Sequence, residues 1–342
     1  MNSWPYHNRQ LGLTNDGLIE ATTATPLTIR PNASGLTNNG TLRVNAGSTL
    51  IVTGAANSFT NFSTATSTLT GGEYQVAGTL KFDNANIVTN AADIVLDGVA
   101  SRIVNQANSD ALAGFATNSS AGSFTIQNGR NFTTAGGFIN GGNMNVGTGS
   151  TFTAIEDYTQ TAGFTYVDGT LEALGVLDIQ GGGIGGSGDI LGSIISSGIV
   201  SPGSSPGTLE IIGDYTQTAS AVLGIEIGGY IADLEFDQLL VSGTAFLDGI
   251  FAVSLINDFL PAVGDFFEIM SFSSFDGEFA SFTGMDIGNG LFFEPIYDST
   301  SFGLLVHGSQ QVPEPRTILL FFLGLIMYCF VFPGDRKLWA KG

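Results

Sequence analysis

From residue 36 to about residue 210 the chain sustains no helical period. It is cut by Gly, Asn, Ser and Asp into short runs that alternate apolar and polar residues, such as Thr41-Leu42-Arg43-Val44-Asn45, Ser123-Phe124-Thr125-Ile126-Gln127 and Thr208-Leu209-Glu210-Ile211. A period of two over a handful of residues is the mark of a half-buried strand, and the Gly and Asn between runs are turn residues. Gly supplies 48 of the 342 residues, about twice the usual share. A chain built this way folds as many short strands.

The runs resemble one another. Gly-Thr-Leu begins at Gly40, Gly78, Gly169 and Gly207, and Asp-Tyr-Thr-Gln-Thr begins at Asp157 and again at Asp214. Two of the Gly-Thr-Leu spacings are 38 residues, which suggests pairs of rungs of about 19 each; the 57 residues between the two pentapeptides would be three such rungs. Imperfect repetition at this interval predicts a solenoid, in which no coil buries its apolar side alone and stacking makes one continuous core. The expected fold class is therefore all-β, a parallel β-helix. Leu, Ile, Val and Phe are expected inside, and Thr, Asn and Ser in outer ladders. A Gly-rich antiparallel sandwich is the alternative.

Acidic residues outnumber basic ones 30 to 10, giving a net charge of −20. Such a surface argues against nucleic acid as a partner, because phosphates are held by Lys and Arg. A single Cys excludes an internal disulfide and a cysteine-cluster metal site. Between Asn131 and Pro315 there is no Lys or Arg, while 22 Asp and Glu fall in that stretch. Its carboxylates must be solvated, hydrogen-bonded to backbone, or bound to cations. Diffuse Ca²⁺ binding is expected to stabilise the body. No cofactor is expected.

The carboxyl end has a different composition. Residues 317–332, TILLFFLGLIMYCFVF, carry no charge and would span about 24 Å as a helix. That length suits a thin bilayer. Pro333 and Gly334 end the run, and residues 333–342 form a basic tail containing Arg336, Lys337 and Lys341. These three orient the tail to the cytoplasm and residues 1–316 outside. A buried core helix is the competing reading of the same run. Just before it, within a linker at 309–316, stands Val312-Pro313-Glu314-Pro315, where two prolines hold an extended strip.

Taken together, these last 31 residues resemble the PEP-CTERM sorting signal of Gram-negative bacteria. The resemblance implies handling by an exosortase, a membrane transpeptidase, with Pro313, Glu314 and Pro315 as recognised residues. It also implies a place in exopolysaccharide or biofilm matrix. Proteins of this class are exported, yet residues 1–35 read as an irregular segment without the apolar core of a signal peptide; a truncated amino end is expected.

A second resemblance covers about 155–280. Val200-Ser201-Pro202-Gly203-Ser204-Ser205-Pro206-Gly207-Thr208-Leu209, Gly213-Asp214-Tyr215-Thr216-Gln217-Thr218, Asp237-Gln238-Leu239-Leu240-Val241-Ser242-Gly243-Thr244-Ala245 and Gly264-Asp265-Phe266-Phe267-Glu268-Ile269 are similar to the end of autotransporter-like passengers. That implies a right-handed β-helix over 36–221 closed by a β-rich cap over 222–308. The eleven Phe between Phe246 and Phe293 suit a cap, because an open solenoid end exposes core and strand edges that must be covered.

Several motifs look chemical. Gly203-Ser204-Ser205-Pro206-Gly207 fits the hydrolase pattern G-x-S-x-G, but Pro206 lacks the N–H an oxyanion would need and no helix follows; a turn between rungs is expected. Gly181 to Gly186 matches G-x-G-x-x-G without the following helix, and reads as a turn or narrow coil. Gly185-Gly186-Ser187-Gly188-Asp189-Ile190 is one residue short of a Ca²⁺-roll repeat and does not recur. Asp157, Asp168, Asp178 and Asp214 are the candidates for a glycosidase pair, which needs two carboxylates about 5–10 Å apart. Because Asp157 and Asp214 recur in one motif, they read as scaffold. The two His, His7 and His307, lack a third metal ligand. The sequence therefore predicts an exported, non-enzymatic structural or adhesive surface protein with exosortase, the bilayer and exopolysaccharide as partners. A surface carbohydrate-active enzyme is the alternative.

Overall fold

The computed structural model describes residues 12–54 and 58–308, so the sorting motif Val312 to Pro315, the apolar run 317–332 and the basic residues Arg336, Lys337 and Lys341 lie outside the described residues. The described chain is all β, with parallel strands in stacked sheets and no helix. Consequently no described helix is long and apolar enough to cross a membrane.

Each turn of chain lays down three short strands, and each strand pairs in parallel with its counterpart one turn later. Tyr158–Gln160, Phe164–Val167 and Thr170–Ala173 form one such turn. They pair with Leu177–Ile179, Gly183–Gly186 and Asp189–Leu191 of the next. The result is three ladders. One runs from Leu18–Ala21 to Ser281–Thr283. Near the start it merges with a second ladder, because Thr68–Val76 and Thr89–Asp97 are nine-residue strands that bend around the corner between two faces. A register shift between Ala91 and Asp93 marks that bend. The third ladder is broken between Arg102–Val104 and Phe132–Thr133.

Parallel pairing rules out the antiparallel sandwich for this body. It begins at Leu13 and continues to Thr283. Antiparallel pairing enters mainly at the far end, where Phe266–Ser271, Ser301–Gly308, Leu291–Tyr297 and Asp286–Gly288 run side by side. These strands lie where the Phe-rich sequence begins to dominate. Phe267, Phe279, Phe293 and Phe302 are buried there.

The alternation seen in sequence is the alternation of burial. In register, Leu42, Tyr74, Ile94, Phe124 and Met144 stack one above another inside the coils, all essentially inaccessible. Rings stack the same way: Phe132 on Phe152 at 5.5 Å and Phe138 on Tyr158 at 5.7 Å. Each such side chain contributes about 1.5–3 kcal/mol by leaving water. Thr41, Thr79, Thr151 and Thr170 face outward or to the rim, as expected of β-branched polar residues on a solvated face.

The two Asp-Tyr-Thr-Gln-Thr segments are indeed three coils apart. Tyr158, Leu177, Ile194 and Tyr215 occupy one column. Gly169 and Gly207 also begin strands of one ladder, two coils apart. Gly40 and Gly78 do not. Gly40 leads into Thr41–Val44 on one face and Gly78 into Thr79–Phe82 on another, so their equal spacing is coincidental. Coil length varies from 16 residues, between Gly183 and Ile199, to 32, between Thr41 and Glu73.

The expectation that Asn lies in outer ladders is corrected. Asn38, Asn90, Asn118 and Asn140 are fully buried at one corner. Asn118 Nδ2 donates to Asn140 Oδ1 at 2.8 Å and to the Asn143 carbonyl at 2.8 Å, while Asn118 Oδ1 accepts from Asn90 Nδ2 at 3.0 Å. The bend leaves backbone groups without ladder partners, and an amide supplies both donor and acceptor to them. Immediately after the corner comes a column of glycines. A Cβ at Gly142 would meet the Gly122 carbonyl oxygen, and one at Gly163 would meet that of Gly142. Gly163 also has φ +68°, a left-handed conformation that only Gly adopts at little cost.

Candidate functional site

On one outward face an aromatic pair, Phe164 and Tyr166, takes the positions that the preceding coil fills with Asn143 and Asn145. In the strand Phe164–Val167, Thr165 points inward while Phe164 and Tyr166 point outward, their rings 4.4 Å apart and inclined at 38°. Opposite them in the next coil stand Gly183 and Gly185. A Cβ on Gly183 would lie 2.6 Å from Phe164 Cε2, and one on Gly185 would lie 3.2 Å from Phe164 Cζ. The two glycines thus let the Phe164 ring lie down on the sheet. In the G-x-G-x-x-G match Gly181 and Gly182 form a bend, with Gly182 at φ +69°, while the turn reading is corrected for Gly183–Gly186, which is a fully buried strand.

Beyond the glycines the loop after Ile199–Pro202 rises as a rim. It carries the G-x-S-x-G match, as a turn that joins two faces of one coil and not two rungs. With Phe164 and Tyr166 it encloses a groove of about 410 Å³, edged by Ser204, Ser205 and Glu226. Ser205 Oγ donates to Glu226 Oε2 at 2.6 Å, and Ser204 Oγ donates to Asp168 Oδ1 at 3.0 Å. Ser205 sits at φ +71°, which is uncommon for a residue with a side chain and costs of order 1–2 kcal/mol.

Behind the rim lies Asp237, only 1% exposed. Its carboxylate accepts from the Gly207 N–H at 2.9 Å and the Glu226 N–H at 2.8 Å, tying the serine loop to the strand Val222–Ile227. Burial outweighs those two donors, and the nearby Glu226 charge adds to it, so the Asp237 carboxyl is pushed up to about 7.

The four aspartates proposed from sequence separate by role. Asp157 Oδ1 accepts from the Val176 N–H at 2.9 Å, and Asp214 Oδ1 accepts from the Thr244 N–H at 2.8 Å. Each reaches into the next coil beside a glycine, Gly175 or Gly243, whose missing Cβ leaves room for the oxygen. Both are spent on scaffold hydrogen bonds. Asp178 accepts from Gln180 Nε2 on the surface, and Asp168 serves the serine rim. Asp189, from the Ca²⁺-roll match, opens an exposed strand end. Among the described residues no three His, Cys, Asp or Glu are grouped to hold a metal. His307 lies on the last described strand against Glu294, and His7 is outside the described residues.

A second, cationic concavity of about 560 Å³ holds Arg102 and Arg130 beside Thr79 and Ser101. Arg102 Nε donates to Thr79 Oγ1 at 3.1 Å, and Arg130 packs 6.0 Å from the Phe132 ring centre. The sequence reading missed Phe164 and Tyr166. Their signal was present: two aromatics at i and i+2 on an outward face, with glycines 19 residues on from each. No protein-family model matches the chain, and a search of curated proteins finds no significant relative.

Proposed function

We infer that the chain is an exported cell-surface or extracellular-matrix protein with a structural or adhesive role. In this reading the stacked sheets are a right-handed parallel β-helix closed by the β-rich region within 222–308. The run 317–332 is a single transmembrane helix, and Val312, Pro313, Glu314 and Pro315 form a PEP-CTERM-type signal read by an exosortase. Arg336, Lys337 and Lys341 keep the tail in the cytoplasm. Exopolysaccharide is the expected companion of the body.

The observation that carries the structural role is the use of Asp157 and Asp214. A carboxylate repeated three coils apart is consumed in fastening one coil to the next, and Thr and Ser also meet across coils on the outer surface, as at Thr244 and Ser274. A stack of this kind presents an extended, regular surface. The test replaces Pro313, Glu314 and Pro315 by alanine in cells. The reading expects loss of surface display or release, with precursor retained in the membrane. Unchanged display would favour a plainly membrane-anchored protein.

One observation favours the second reading, a surface carbohydrate-active enzyme: Glu226 stands at the edge of an aromatic groove. Hydrolysis would need a second carboxylate across the groove. Release of reducing ends from polysaccharide, abolished by Glu226→Gln, would establish it.

A further inference from the structure

We propose that the groove over Phe164 and Tyr166 binds an uncharged glycan by stacking a pyranose ring on the exposed Tyr166, which Phe164 backs. This deepens the adhesive reading above and rests on it.

The floor is built for a flat ligand. Phe164 is laid along the sheet by Gly183 and Gly185, and Tyr166, 49% exposed, packs on it, where the preceding coil presents Asn143 and Asn145. An exposed aromatic ring backed by a half-buried one on a rigid sheet loses little conformational freedom on binding, which is what makes such rings good anchors. A pyranose offers the matching shape: one face of C–H groups, whose positive edges suit the negative face of a ring, and a perimeter of hydroxyls.

The rim selects for that perimeter. Ser204 and Ser205 each direct their hydrogen to a carboxylate, Asp168 and Glu226. Their oxygens are then left as acceptors, as are the carboxylates. A rim of acceptors calls for a ligand rich in O–H donors. It also repels anions: no Lys or Arg lies between Asn131 and Pro315 to offset Asp168 and Glu226. Uronic-acid chains are thereby excluded from this groove, and a neutral glycan fits it. The volume, about 410 Å³, falls in the ~300–1,000 Å³ range of small-ligand clefts.

The experiment uses the full-length chain in mild detergent, with cellohexaose and laminarihexaose as neutral probes and hexagalacturonate as the charged one, followed by saturation-transfer NMR and calorimetry. At least one neutral hexamer is expected to bind, and hexagalacturonate is not expected to compete. Tyr166→Ala should weaken binding about tenfold or more, while Tyr166→Phe, which keeps the ring, should stay within about twofold. An unchanged melting temperature in both variants shows that the fold is intact. Failure of both neutral probes, preference for hexagalacturonate, or binding indifferent to Tyr166→Ala would each overturn the assignment. A chain that is displayed on cells but binds neither neutral probe overturns the groove alone. One that binds through Tyr166 but is never exported overturns the surface reading alone.

Discussion

Asn118 Nδ2 donates to Asn140 Oδ1 at 2.8 Å, between two fully buried side chains 22 residues apart. With Asn90 below, whose Nδ2 reaches Asn118 Oδ1, this makes a polar column inside an apolar stack. Asn140 in turn reaches Thr165 Oγ1 at 3.1 Å, and Tyr158 Oη shares a 2.7 Å hydrogen bond with Thr165. Satisfied in this way, the amides fix which coil sits on which, because a slip of one residue would strand them among Leu and Phe.

Asn118→Leu therefore takes the side-chain donor from the Asn143 carbonyl and breaks the amide chain, leaving Asn140 Oδ1 with only the Gly142 N–H and Asn90 Nδ2 with only the Ala92 and Ser123 carbonyls. Destabilisation of about 2–4 kcal/mol is expected. Asn86→Ala, at an exposed position, should change stability by less than about 0.5 kcal/mol. Chemical denaturation of the two variants measures the difference. A loss at Asn118 no larger than at Asn86 would refute the column's structural role.

The glycine column makes a steric prediction. Gly163→Ala places a methyl on the Gly142 carbonyl oxygen and forces a side chain to φ +68°, so both packing and backbone oppose it. A cost of about 3 kcal/mol or more is expected. Gly149, at φ +74° with nothing near its missing Cβ, carries only the backbone part; Gly149→Ala should cost about 1–2 kcal/mol. Melting curves giving equal losses would contradict the close approach of coils at Gly163.

Asp237 sets a pH dependence whose sign is fixed. Its folded-state pKa is raised to about 7 by burial, so the folded chain keeps a proton that the unfolded chain releases in the usual carboxylate range. The unfolded state then binds fewer protons between about pH 4 and pH 7, and this group's contribution falls across that window as pH rises. The loss is of the order of a few kcal/mol. Other carboxylates also repel one another as pH rises, so the measurement is the difference between the wild type and Asp237→Asn. Wild-type stability relative to the variant should decline from pH 4 to pH 7 and level off above. A difference independent of pH would show that Asp237 is ionised throughout.

Divalent cations should stabilise the acidic coils without a dedicated site. The stretch from Asn131 to Pro315 has no Lys or Arg, and no described residues group three metal ligands. Millimolar Ca²⁺ should raise the melting temperature over chelator, Mg²⁺ should match it, and high salt should erase the difference. A large shift with Ca²⁺ alone would mean a specific site.

How much of this was legible in the sequence follows from the range of the interactions involved. The strands and the inward Leu, Ile and Phe were legible because alternation is local. The three-coil spacing of Asp157 and Asp214 was legible because those coils average 19 residues. The earlier coils were not, since loops stretch one to 32 residues and set Gly40 and Gly78 on different faces. The Asn column was hidden for a physical reason: Asn is a turn former by itself and becomes an interior residue only when the coils on either side bind its amide. The groove was hidden in the same way, because Phe164 and Gly183 make a floor only when stacked.

Mass spectrometry of the mature carboxyl terminus, taken from cells, bears most directly on the central claim of export and sorting. Cleavage beside Pro313-Glu314-Pro315, in protein recovered from the cell surface or medium, is the predicted result. An intact chain ending at Gly342, dissolved in the cytoplasm, would contradict it.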